Sequence, residues 1–187
     1  MRTQRNTNQT PTEWRGITKR FLHAFLLLVT ISTLLNLQQS VWASETPATL
    51  APDFTLPTSS GAVQLSTLKG KVVLVDFWAS WCGPCRDSFP WMNAMHEKYA
   101  SQGLEIIAIN VDQEATEAQK FLEELPAKFT VAFDPEGKTP EAFNVMGMPS
   151  AYLIDQHGTI HSQHIGFHNS KKSEYEAAIS ALVQSRH

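Results

Sequence analysis

Cysteine is nearly absent from this chain. Its 187 residues include two, both inside the pentapeptide Trp81-Cys82-Gly83-Pro84-Cys85. That excludes a scaffold stapled by disulfides, because the unfolded-chain entropy a bridge removes grows with the loop it closes, and a loop of two intervening residues joins no distant segments. The pair reads instead as chemistry that opens and closes. Long apolar runs are also missing. Phe21 to Leu35 is uncharged and apolar, but it is shorter than the roughly 20 residues of a spanning helix, and Asn36, Gln38 and Gln39 interrupt its continuation. Excess positive charge is lacking too, with 15 Lys and Arg against 18 Asp and Glu. Beyond residue 43 there is no polybasic patch, internal repeat or low-complexity tract, so nucleic-acid binding by that domain has no electrostatic footprint.

What is present at the N-terminus is a targeting pattern. Arg2, Arg5, Arg15, Lys19 and Arg20 stand against a single acid, Glu13, ahead of the apolar run, and Val41-Trp42-Ala43 precedes Ser44 as a small-residue cleavage site. These are the parts of an export signal, either cleaved near residue 43 or retained as an anchor. Both place the domain in an oxidising compartment, periplasmic or on the extracytoplasmic face of a membrane, where disulfides form and need correcting. Without residues 1–43 the balance is ten basic against seventeen acidic residues, a net charge of −7. The expected organisation is therefore signal or anchor over 1–43, an irregular linker over 44–52 and one domain over 53–187.

Within that domain, Asp53–Leu56 and Val63–Leu65 are short strand candidates around a Ser59-Ser60-Gly61 turn. Val72–Phe77 is a nearly continuous apolar run, the mark of a central strand buried on both faces. A helix is expected from Cys82 to about Ser101, kinked at Pro90. Leu104–Val111 and Phe129–Phe133 read as strands, Glu114–Leu125 as an amphipathic helix and Gly137–Phe143 as a short one. Ser150–Ile154 and Thr159–Ile165 form a hairpin, and Lys171–Val183 closes the chain as a helix with Tyr175, Ala178, Ile179 and Leu182 on one face. Strands alternating with helices and ending in a hairpin indicate an α/β fold with a mixed sheet.

C-x-x-C at a strand-to-helix junction is a thioredoxin-like redox signature. With APDFTLPTSSG, LKGKVVLVDFWASWCGPCRDSFP, LEIIAINVD, FTVAFDPEG and GMPSAYLIDQHGTI in this order, the chain resembles extracytoplasmic thioredoxin-like oxidoreductases of the TlpA/ResA/DsbE type, within the redoxin/AhpC-TSA-like group. The resemblance implies a thioredoxin-like fold, a central mixed β-sheet flanked by helices, with an N-terminal β extension. It also implies exchange of a Cys82–Cys85 disulfide with protein cysteines.

The residues carry that chemistry. Thiolate attack drives exchange, and Cys82 falls at a helix N-terminus, where free N–H groups and the dipole stabilise a thiolate. Cys82 is the expected nucleophile. Cys85, three residues on and on the same helix face, resolves the mixed disulfide. Pro84 lies in the first turn, where a missing N–H costs little. Asp76 stands in the middle of the apolar strand, and burial raises the pKa of a lone carboxylate. Its two readings are proton acceptor from Cys85, the role implied by the matching aspartate of thioredoxins, or a carboxylate satisfied by a structural hydrogen bond.

Relatives of the ResA type often carry Asn at the Asp76 position and Glu three residues after the second cysteine. This chain has Ser88 there, so that acid role does not transfer. Met148-Pro149 resembles the family's cis-proline site, where the Met148 backbone would pair with an extended substrate segment. Trp81, Gly83, Pro84, Met148 and Pro149 are thus the expected substrate contacts. Trp78 reads as packing and Arg86 as an exposed cation near the sulfurs. His157, His161, His164 and His168 read as a polar edge, because positions 161 and 164 of a strand point to opposite faces. No metal is expected.

The leading function is a thiol–disulfide oxidoreductase, a reductant of protein cysteines such as apocytochrome or metallochaperone thiols, fed by a membrane electron donor. The cysteines themselves carry the electrons, so no bound cofactor is expected. A peroxiredoxin-like peroxidase is the first alternative, but Ala79 occupies the Thr position of a T-x-x-C peroxidatic pattern. A copper-binding module of this fold is the second, and such carriers usually show a longer cysteine spacing.

Overall fold

The computed structural model describes residues 49–185. The expected signal or anchor over 1–43 lies outside them, and everything below belongs to the unit Pro47–His187.

The apolar run before the cysteines forms the middle of the sheet. Strand β3 (Val72–Trp78) is buried at all seven positions. It pairs in parallel with β4 (Leu104–Asn110) and antiparallel with β6 (Ser150–Ile154). Strand β5 (Thr130–Phe133) extends the parallel part beyond β4, and β7 (Ile160–Ile165) closes the other edge against β6. The N-terminal hairpin, β1 (Thr55–Thr58) and β2 (Gly61–Gln64), joins the outer side of β5 through Thr58 and Ala132. The result is a seven-stranded mixed sheet in the order β2-β1-β5-β4-β3-β6-β7. It carries the expected α/β architecture, with the helices α1 (Gly83–Tyr99), α2 (Ala115–Glu124), α3 (Lys138–Ala142) and α4 (Lys172–Gln184) around it.

Alternation along β3 divides its residues between two apolar layers. Val72, Leu74 and Trp78 pack with Phe89, Met92 and Met95 of α1, Phe121 of α2 and Ile179 of α4. Val73, Val75 and Phe77 pack with Phe54, Phe143 and Tyr152 on the opposite face. Trp78 is fully buried, as expected of a packing residue. It meets Phe89 edge-on at 4.8 Å and Phe121 at 4.6 Å between ring centroids, separations at which aromatic pairs add to simple area burial. This cluster seats the start of α1 against the end of β3.

Local differences from the sequence reading have physical causes. The first strand begins at Thr55, not Asp53, because the Asp53 carboxylate instead accepts hydrogen bonds from the Ser66 N–H (2.8 Å) and the Gln64 amide (3.0 Å). Helix α1 ends at Tyr99, two residues before the expected Ser101, and holds Pro90, an exposed residue, inside it. Part of the expected linker is tied down: the Ile160 N–H donates to the Thr49 carbonyl and the Ala51 N–H to the Gly158 carbonyl, both at 2.9 Å. These bonds fasten residues 49–51 to the turn between β6 and β7.

Candidate active site

Parallel pairing of β3 and β4 leaves the chain after Trp78 at the carboxyl edge of the sheet, where it must turn into α1. The turn is short and is held from β4. Asp112, buried just past the end of that strand, accepts hydrogen bonds from the Ser80 N–H (2.9 Å) and the Ser80 hydroxyl (3.0 Å). The Asn110 amide donates to the same carboxylate at 2.8 Å, and the Asp112 N–H donates back to Asn110 Oδ1 at 3.1 Å. Sequence reading passed over this latch. Its signal was the polar pair inside INVD, directly after an apolar strand.

Cys82 is the N-cap of α1, with extended backbone (φ −84°, ψ 103°), and the helix proper starts at Gly83. Its sulfur therefore lies at the positive end of the helix, the placement that stabilises a thiolate. Cys82 and Cys85 are joined in a disulfide. Cys82 retains 4% exposure and Cys85 none, so an incoming thiolate reaches Cys82 first. Trp81 beside it is 72% exposed. Gly83 and Pro84 are exposed on the same turn. Arg86 pairs with Glu124 and lies over the Phe121 ring, so its charge is directed to α2.

The Met148–Pro149 peptide bond is cis. Pro149 is buried, and Met148 packs against the apolar layer that contains both cysteines. Flanking bonds fix this loop: Gly166 N–H to the Pro149 carbonyl at 2.8 Å, and Ser150 hydroxyl to the Gly147 carbonyl at 2.6 Å. The Met148 backbone takes no part in those bonds.

Asp76 is 3% exposed, and its Oδ2 has no hydrogen-bond partner among the described residues. Its neighbours in register are alanines, Ala108 on β4 and Ala151 on β6, which offer no side-chain donor. Burial alone therefore holds this carboxyl well above the ordinary carboxylate range. The structural alternative for Asp76, a hydrogen-bonded carboxylate, finds no donor for that oxygen. Ser88 is buried and donates to the Cys85 carbonyl at 3.0 Å. The expected polar edge of histidines divides in two: His157, His161 and His168 are exposed, whereas His164 is half-buried. Among the described residues no group of three His, Cys, Asp or Glu side chains is placed to hold a metal.

Residues 47–163 match the AhpC/TSA family. The chain belongs to that family. It is 32% identical over 145 residues to the thiol-disulfide oxidoreductase ResA of Bacillus subtilis, covering 75% of this chain and 81% of that protein. A crystal structure assigned as a thiol:disulfide interchange protein DsbE from Chlorobium tepidum is 51% identical, with a TM-score of 0.72 over 73% of this chain and 96% of the other. A thioredoxin-family thiol:disulfide interchange protein from Chlorobium tepidum is 26% identical, with a TM-score of 0.65 over 75% and 99% of the respective chains. These likenesses carry the disulfide at Cys82 and Cys85 from geometry to activity: the protein is a thioredoxin-like thiol–disulfide oxidoreductase that acts on protein thiols and disulfides.

Proposed function

We propose that the protein works outside the cytoplasm as a reductant of disulfides in other proteins, with Cys82 as nucleophile, Cys85 as resolving thiol and Asp76 as the proton partner of Cys85. The observation that carries this reading is the redox pair at the start of α1, over a strand whose one buried carboxylate has an unpartnered oxygen. In the reduced protein the Cys82 thiolate attacks one sulfur of a substrate disulfide. A Cys82–substrate mixed disulfide forms and the other substrate sulfur leaves as thiolate. Cys85 then gives its proton to the Asp76 carboxylate, and its sulfur attacks Cys82 Sγ. That step forms the Cys82–Cys85 bond and releases the second substrate thiolate. Two electrons pass from the dithiol to the substrate, and no bound cofactor takes part.

Gly83-Pro84 between the cysteines, the thioredoxin dipeptide, supports the reducing direction. The free backbone of Met148 supports pairing with an extended substrate segment across Trp81, Gly83, Pro84 and Pro149. Apocytochrome or metallochaperone cysteines are the proposed substrates and a membrane thiol carrier the proposed donor. The basic and apolar pattern over 1–43 supports export or anchoring; among the described residues no helix is long and apolar enough to cross a membrane.

A redox titration against glutathione tests the direction. The expected potential lies below the glutathione couple, and one well above it reverses the assignment to an oxidase. Trapping with Cys85→Ser tests the chemistry: protein adducts through Cys82 are expected, and peroxide turnover without adducts points to the peroxidase.

A further inference from the structure

Asp76 shares one rung of the sheet with a histidine two strands away. Across β6 it faces Ala151, and Ala151 in turn faces His164 on β7. Directly opposed residues project from the same face of a sheet, so Asp76, Ala151 and His164 all point toward α1 and α4. Neighbouring strands are about 4.8 Å apart, which separates the Asp76 and His164 backbones by about 10 Å. Ala151 is the residue between them in register.

A cavity of about 30 Å³, walled mostly by apolar side chains such as Leu74, Met92 and Leu153, is lined by both Asp76 and His164. Asp76, Ala151 and His164 line it from the sheet, Ser88 and Trp91 from α1, and Tyr175 from α4. A water requires about 10–15 Å³ and two to four polar partners. The volume suffices, and the candidate partners are the Asp76 carboxyl, Ser88 hydroxyl, Trp91 indole and His164 imidazole. Asp76 Oδ2 and Trp91 Nε1 are buried without a hydrogen-bond partner among the described residues. Neither cysteine lines the cavity, so it lies on the outlet side of Asp76.

His164 joins this interior to solvent. It is half-buried, its ring meets Tyr175 at a tilt with 4.4 Å between centroids, and the next residue, Ile165, is exposed. Burial holds the imidazole below its ordinary value of 6.5, with Glu174 acting upward and Lys171 downward. Asp76, His164 and Tyr175 are the titratable groups that line the cavity.

We propose that His164 is the proton outlet of the active site, exchanging the Asp76 proton with solvent through a water in the cavity above Ala151. This rests on the reading of Asp76 as the proton partner of Cys85. Asp76 and Cys85 can return the same proton to one another between the two half-reactions, so the outlet serves the reduced protein that waits between them. When a donor thiolate attacks Cys82, the departing Cys85 sulfur takes the Asp76 proton and leaves a buried carboxylate. That carboxylate is reprotonated from solvent and must lose the proton again before it can accept one from Cys85. The path is carboxyl to water, water to neutral imidazole, and imidazolium to bulk. No electrons move.

Single-turnover stopped-flow of the reduced full chain with a fluorogenic peptide disulfide, across pH and in dilute buffer, tests this. His164→Ala is expected to slow the resolving step about tenfold, below the 10²–10⁴-fold effect of removing a general base itself, and to alter its pH profile. Added imidazole should restore the rate in proportion to its concentration. Ala151→Leu, which fills the cavity and keeps both titratable groups, should slow the step without imidazole rescue. His164→Gln supplies a second variant with a polar side chain, expected to be slow and rescued weakly. Wild-type rates in the His164 variants, or slow rates that imidazole leaves unchanged, overturn the outlet. Asp76→Asn separates the two ideas: if it alone slows resolution, the outlet falls and Asp76 stands; if it is as fast as wild type, both fall.

Discussion

Two buried aspartates belong to adjacent parallel strands, Asp76 within β3 and Asp112 just past the end of β4, and their surroundings are opposite. Asp112, 7% exposed, receives three hydrogen bonds on its carboxylate, two from Ser80 and one from Asn110. Asp76, 3% exposed, has alanines on both sides in register and an oxygen with no partner. A carboxylate with its acceptors filled has little left to offer a reaction, and removing it leaves its donors stranded. An unfilled carboxylate contributes nothing comparable to the fold and retains its affinity for a proton. One acid holds the loop that carries Cys82, and the other, the proton partner of Cys85 in our proposal, keeps an oxygen unfilled among the described residues.

The largest effect that would sharpen this contrast is on rate. Asp76→Asn is expected to slow resolution of the mixed disulfide by about 10²-fold or more, measured by stopped-flow, while its urea midpoint at neutral pH equals or exceeds that of the wild type. A loss of stability in this variant would break the contrast. The pH dependence has a definite sign. Because burial raises the folded pKa of Asp76 above the ordinary 3.8, the folded state binds the extra proton. Stability from this group is thus fully present below about pH 3.8 and is lost as pH rises through the folded value. The advantage of Asp76→Asn over wild type should therefore grow with pH in that window, by at most about 1.4 kcal/mol per pH unit.

Asp112→Ala comes next. It strands the Ser80 N–H and the Asn110 amide and should cost about 3 kcal/mol in urea denaturation, with a loosened β3–α1 turn seen as faster amide exchange at Ser80. A neutral result would make the latch ornamental. The smallest effect belongs to the surface. Arg86→Met breaks the exposed ion pair with Glu124 and should change stability by about 1 kcal/mol or less, which denaturation at low and high salt would measure.

Much of this was legible in the sequence. β3 announced itself because burial on both faces demands an unbroken apolar run, and the same run made Asp76 conspicuous. The hairpin β6–β7 followed from two strand patterns around Asp155-Gln156-His157-Gly158. Register across strands was not legible. Alternation correctly set His161 and His164 on opposite faces of β7, yet nothing local reveals that Ala151 and then Asp76 stand across from His164. The Asp112 latch was hidden for the same reason: Ser80 is 32 residues away in the chain and meets it only because β4 runs parallel to β3.

The bonds that fasten Thr49 and Ala51 to the turn after β6 have a practical reach. That turn follows Ile154, which pairs with Val73 at the start of β3, whereas the cysteines follow the end of the same strand. Seven residues of strand, about 20 Å, separate the two places. A bead, dye or surface coupled at Thr49 therefore attaches to the foot of the domain and leaves the disulfide facing solution, so the sheet itself serves as the spacer in an immobilised reagent.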